Sequence, residues 1–181
     1  MKKIVQLLFV CLCFVFFTSQ ANEKSEEIFS ASWVRSVNKM VDEKDLPKIV
    51  KASFNHGTQH MIDPLLILAV IRQESTFHTK AKNKSSKGLM QVIPYWHKDK
   101  IKGRDILDID VNIEVGTKIL AECKKRKGEN IIKVINCYRG RDDKKYTASV
   151  LKARDNLQQL IIEEQFKQEL PIYYVTQKNI L

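Results

Sequence analysis

The sequence predicts an all-α fold, and three observations carry that expectation. Apolar residues recur at three- and four-residue spacing along most of the chain. No stretch alternates apolar and polar residues as a half-buried strand would. Gly and Pro are few, six and four in 181 residues. A hydrophobic fraction of 44% with 8% aromatics suffices for a packed core. That excludes a mainly disordered chain, and the scarcity of Gly and Pro excludes collagen-like, low-complexity and turn-rich β-sandwich classes. The length fits one domain. No internal repeat is visible.

The first residues have the layout of a signal peptide. Lys2 and Lys3 form a positive start, Ile4 to Phe17 is almost wholly apolar, and Ser19 and Ala21 have the spacing of a cleavage site. The apolar run is shorter than the ~20 residues of a spanning helix. Residues 1–21 are therefore expected to be removed after Ala21, with the mature chain periplasmic or exported. An uncleaved anchor is the alternative. Cys11 sits within the apolar run without the small residue before it that a lipid-attachment site needs.

The elements then follow in order. Asn22 to Ser32 is polar and acidic and is expected to be a loose leader. Trp33, Val37, Met40 and Val41 recur at helical spacing. Asp45 can cap a second helix running through Pro47, Ile49, Val50 and Phe54. Asp63-Pro64 is a strong helix start, with Asp as N-cap and Pro at the first helical position. Leu65 to Ile71 is apolar on every side, so this helix is expected to be buried. His78 to Lys87 is a basic loop, Gly88 to Pro94 a short segment stopped by proline, and Lys98 to Ile109 irregular. Asp110 or Asn112 starts a helix carrying Ile113, Gly116, Ile119, Leu120 and Cys123 on one stripe, which Gly128 ends. Asn130 to Tyr138 forms a short helix. Tyr146, Val150, Ala153, Leu157, Leu160 and Ile161 mark a last long one. About seven helices result.

The buried helix delivers Glu74. A helix C-terminus carries partial negative charge and disfavours a carboxylate, and nearby apolar groups such as Phe77 and Met90 would desolvate it. Both raise its pKa. Arg72 and the lysines of the following loop would oppose them. A Glu held protonated in a cleft is what a general acid must be. A Glu paired with Arg72, or capping local structure, is the alternative reading.

Four segments in order resemble one family. Asp63-Pro-Leu-Leu-Ile-Leu-Ala-Val-Ile-Arg-Gln-Glu74-Ser75-Thr-Phe77 comes first, then Gly88-Leu-Met-Gln91-Val-Ile-Pro94. Asn112-Ile-Glu-Val-Gly116-Thr-Lys-Ile-Leu120 follows, then Asn136-Cys-Tyr138-Arg-Gly140 with Tyr146 and Val150. Together they are similar to the soluble lytic transglycosylase (SLT) domain of the lysozyme-like superfamily, from about residue 49 to 154. The resemblance implies the lysozyme-like helical fold with a catalytic cleft. With the leader and helix readings above it gives the expected domain order: signal peptide 1–21, leader and helix 22–44, catalytic domain 45–156, and a C-terminal helix extension and tail over 157–181.

The resemblance further implies an enzyme that cleaves peptidoglycan glycan strands at the β-1,4 bond between N-acetylmuramic acid and N-acetylglucosamine, leaving 1,6-anhydro-muramyl ends. Glu74 would be the single acid and base. Gln91 and Met90 would line the cleft. Tyr138 would project toward Glu74 and the muramyl unit, Tyr146 would sit on the cleft wall, and Ser75 would fix the Glu turn. Gly88 and Gly116 read as close-packing positions and Asn112 as a cap. Two departures stand out. Many members have Tyr-Asn-Ala-Gly where Tyr138-Arg139-Gly140 stands here, and a Gly-Ala pair where Ser85-Ser86 stands.

Other patterns lead elsewhere or nowhere. Removal of the leader would leave Cys123 and Cys137, which in an exported chain allow one disulfide or two buried thiols. His56 and His60 have a zinc-compatible spacing but no third ligand, so no metal or cofactor is expected. Lys80, Lys82, Lys84 and Lys87 lack any accompanying nucleic-acid motif. A net charge of +10 favours anionic partners, whether nucleic acid, a membrane surface or a wall polymer, without choosing among them. The partner the resemblance implies is the peptidoglycan glycan strand, and no nucleic acid is expected. A monomer is expected, and the sequence leaves its setting open among wall turnover, secretion or conjugation machines, and phage entry. A lysozyme-like hydrolase, with Asp108 or Asp110 as second carboxylate, and a non-catalytic wall-binding or assembly module are the alternatives.

Overall fold

The computed structural model describes residues 22 and 24–169. The signal-peptide reading and the last residues of the tail lie outside them. The described chain is helical, without strands among those residues. The helices are α1 (24–37), α2 (Leu46–His60), α3 (Pro64–Ser75), α4 (Lys98–Ile101), α5 (Ile109–Lys127), α6 (Ile131–Arg139) and α7 (Lys144–Glu169). None is long and apolar enough to cross a membrane.

Helix α3 is the centre. Leu65 through Ile71 are all buried, the last five with no exposure at all. It packs between α2 and α7, while α5 packs on α2 and α6. Its start matches the sequence signal, for the Asp63 carboxylate accepts from Leu65 N at 2.9 Å and Pro64 opens the helix. The same carboxylate pairs with Arg154, which ties the long α7 to the head of α3.

Five local readings are corrected. The polar leader is helical from residue 24, because Phe29 and Trp33 give it an apolar stripe that seats on the core. The helix stops at residue 37, and Met40, read as part of its stripe, is 87% exposed in the turn that follows. Asp45 occupies the N-cap of α2 but makes no side-chain cap bond there, its carboxylate lying 3.7 Å from Lys48 instead. Helix α5 starts one residue earlier than the earlier of the two expected starts, because Asp108 caps it through Val111 N at 3.0 Å. Asn112 is therefore inside the helix and not a cap. The charged stretch after Pro94 includes the single turn of α4.

Cys123 and Cys137 form a disulfide that staples α5 to α6, with Cα atoms 5.7 Å apart. Of the two alternatives left by the sequence, the fold takes the bond.

Candidate active site

The chain must turn sharply after Glu74. Thr76 and Phe77 both adopt left-handed backbone conformations, with φ of 49° and 63°. Neither is glycine, so the turn carries strain that its surroundings must hold. Phe77 is 1% exposed and meets Trp33 of α1 edge-to-face, ring centroids 5.8 Å apart. Asn38 donates from Nδ2 to Thr76 O at 2.8 Å and lies 3.2 Å from His78 Nδ1. The upstream helix thus grips the turn that follows Glu74. Ser75 bonds back to Ile71 O at 3.1 Å, which ties the helix end on the other side.

A loop from residue 81 to 92 faces this turn, and a buried amide holds it. Asn112 is 1% exposed. Its Oδ1 accepts from Met90 N at 2.8 Å, while Nδ2 donates to Lys87 O at 3.0 Å and Ile106 O at 2.8 Å. Two glycines let the loop come this close. A Cβ on Gly88, whose φ is +77°, would fall 2.1 Å from Asn112 Nδ2, and one on Gly116 would fall 2.3 Å from Met90 Sδ. Gln91, with φ of 47°, is held by Ser86 Oγ, which donates to its Oε1 at 2.7 Å. Gln91 Nε2 in turn donates to Gly88 O at 2.9 Å.

Helices α6 and α7 supply two tyrosines: Tyr138 lines a cavity together with Glu74, and Tyr146, expected on the cleft wall, is buried. Tyr146 Oη donates to Glu74 Oε1 at 2.6 Å. Tyr138 Oη donates instead to Met90 O at 2.7 Å and so braces the loop. Burial, and then the charge of Glu74, push both phenols up from their usual range, so both remain neutral donors. Glu74 itself is pushed up by burial. The Tyr146 bond and the guanidinium of Arg139 pull it partly back. Arg139, not Arg72 or the loop lysines, is the opposing charge. It stands where the family often has Asn, and its guanidinium lies 5.0 Å over the Tyr146 ring.

Glu74, Asn83 and Gln91 line two cavities at once. The acid therefore stands at the joint of a groove, with a wide arm of about 950 Å³ on one side and a narrow arm of about 210 Å³ on the other. Ser75 lines the wide arm and Tyr138 the narrow one. Tyr146 is buried behind the acid. Met90 is corrected: its side chain is fully buried against Gly116, and only its backbone serves the site. The sequence reading missed Asn38, Asn83, Asn112 and Arg139. For Asn112 the signal was present, as an Asn opening a helix motif, but its long-range partners were not visible.

Asp108 and Asp110, the candidate second carboxylates, line neither arm. Asp108 caps α5, and Asp110 lies 2.9 Å from His56 Nε2. His60 stacks on His56 with centroids 6.5 Å apart, so that pair is engaged in side-chain contacts on the outside of the groove.

The family comparison falls on this same unit. Residues 51–156 match the model of the transglycosylase SLT domain, more than half of the chain, and they include Glu74, the loop to Gln91 and both tyrosines. The match and the helical fold around that groove agree: the chain belongs to the transglycosylase SLT domain family, lysozyme-like in fold and of the lytic transglycosylase type that acts on peptidoglycan.

Proposed function

We propose that this protein is a lytic transglycosylase that cleaves the bond between N-acetylmuramic acid and N-acetylglucosamine and leaves 1,6-anhydro-muramyl ends, with Glu74 as its single acid and base. The observation that carries this reading is the position of Glu74. It is half-buried at the joint of a groove open on both sides, with a raised pKa and one oxygen fixed by Tyr146.

Tyr146 occupies Oε1, and Oε2 makes no hydrogen bond among the described residues. Oε2 is thus the oxygen that carries the proton. Protonated Glu74 gives that proton to the glycosidic oxygen as the C1–O bond breaks. The 2-acetamido oxygen of the muramyl unit stabilises the positive charge that develops at C1. The sugar's own 6-hydroxyl then attacks C1, and the Glu74 carboxylate takes the hydroxyl proton, which restores the acid. One carboxylate suffices because substrate groups stand in for the nucleophile or base of ordinary glycosidases. Among the described residues no carboxylate besides Glu74 lines the narrow arm, and the two others that line the wide arm, Asp42 and Asp45, lie 3.7 Å from Lys44 and Lys48. This supports an intramolecular acceptor over a water activated by a second acid.

Export supports the same reading, since peptidoglycan lies outside the cytoplasm. The apolar leader with Ser19 and Ala21 gives a processed chain starting at Asn22, which N-terminal sequencing of the secreted protein tests. For the activity, purified sacculi are digested with residues 22–181 and with Glu74→Gln. Mass spectrometry should find anhydro-muramyl ends from the parent chain alone. Fragments with reducing ends would instead make the protein a hydrolase.

A further inference from the structure

The two arms of the groove differ in size and in charge. Ser85, Ser86, Val92, Ile93 and Tyr138 line the narrow arm with His97 and Arg139, so hydroxyl and apolar groups suited to a sugar ring stand there beside a single guanidinium. The wide arm has more than four times that volume and is rimmed by charged and polar side chains: Asp42, Lys44, Asp45, His78, Lys80 and Lys82. Half of this rim comes from the turn after α1, upstream of the matched family domain at residues 51–156. That turn is in fixed register with the acid, because Asn38 binds Thr76 O two residues beyond Glu74.

The charges are unevenly satisfied. Asp42 lies 3.7 Å from Lys44, and Asp45 lies 3.7 Å from Lys48. Lys80 and Lys82 have no ion-pair partner among the described residues. The wide arm therefore presents two free ammonium groups. A peptide-bearing glycan backbone offers them little, since its sugars are neutral and the muramyl lactyl carboxyl is held in the amide to the stem peptide. The stem peptide carries carboxylates away from the ring, whereas stripping it leaves only the lactyl carboxylate at the ring.

Resting on the transglycosylase reading above, we infer that the wide arm binds a muramyl unit together with its stem peptide, with Lys80 and Lys82 holding the peptide's carboxylates. The enzyme then prefers peptide-bearing strands to stripped ones. The preference lies in binding, because the lysines contact the substrate away from the bond that breaks.

The test compares soluble glycan strands that keep their stem peptides with the same strands stripped by an amidase, using residues 22–181. Lys80→Ala/Lys82→Ala should raise KM for peptide-bearing strands by about fivefold, the size of two partly exposed ion pairs, with kcat within about twofold. KM for stripped strands should stay unchanged. Lys84→Ala, on the same loop but outside the arm, should alter neither. Equal KM changes on both substrates, or none on either, would overturn the inference and leave the activity standing. Absence of anhydro ends from every protein and both substrates would overturn the transglycosylase reading, and this inference with it.

Discussion

Tyr146 Oη donates to Glu74 Oε1 at 2.6 Å across 72 residues of sequence. Helix α3 brings the acid, helix α7 brings the phenol, and their packing sets the distance. The bond favours the ionised acid, against burial, which disfavours it more. Arg139 acts in the same direction as Tyr146 from the neighbouring helix.

Tyr146→Phe removes a hydrogen bond to the charged form of Glu74, so the acid's pKa should rise further. A general acid works while protonated, so activity falls as pH climbs through that pKa. The alkaline limb of the kcat/KM profile should therefore move to higher pH in Tyr146→Phe. It should move the same way in Arg139→Gln. The maximal rate should drop by about tenfold in Tyr146→Phe, the size of one lost charge-assisted bond. A limb that moves to lower pH would contradict the assigned electrostatics.

Glu74→Gln should abolish turnover and raise the melting temperature at neutral pH. The folded state holds the Glu74 pKa above its unfolded value. Its contribution to stability is then fully present below the unfolded pKa and is lost as pH rises through the folded one. The amide removes that loss while its carbonyl can still accept from Tyr146. Calorimetry at pH 7 and pH 4 checks the sign, since the variant's advantage should shrink at the lower pH.

Much of this site was legible in the sequence, and what was not has a common cause. Asp63-Pro64 and the apolar run to Ile71 are local signals, and α3 forms as they dictate. Glu74 follows from that helix. The functions of Asn112, Met90 and the two tyrosines depend instead on partners from 22 to 72 residues away. No spacing rule reports such partners, so Asn112 read as a cap and Tyr146 as a wall residue rather than the donor to the acid. The part of α1 before Trp33 was missed because Phe29 is the buried apolar side chain there among polar neighbours.

Asn112→Ala should cost about 2–4 kcal/mol, because it leaves Met90 N and Ile106 O without their buried partner and Lys87 O with Val92 N alone. Gly116→Ala should cost about 1–3 kcal/mol through its clash with Met90. Denaturant melts give both values. Losses under half a kcal/mol would show that the loop does not depend on this contact.

Reduction of Cys123–Cys137, or Cys123→Ala/Cys137→Ala, opens a loop with a sequence separation of 14. The chain-entropy cost is about 3 kcal/mol. Melts with and without reductant should differ accordingly. Equal thiol counts in denatured protein before and after reduction would contradict the bond.

Acid should also weaken the α5 region. Arg104 and Lys118 both bind Glu114 and hold its carboxyl at about 2. Its contribution to stability is present above its unfolded value and is lost as pH falls toward 2. Glu114→Gln should therefore flatten the decline in melting temperature between pH 5 and pH 2, read by a pH series of thermal melts.

The most direct test of the central claim follows the acceptor oxygen. Sacculi are digested by residues 22–181 in water enriched in oxygen-18, and the muramyl ends are weighed. An intramolecular attack by the 6-hydroxyl gives anhydro ends that contain no heavy oxygen, and none from Glu74→Gln. Reducing ends that carry the label would show water as the acceptor and contradict Glu74 acting alone.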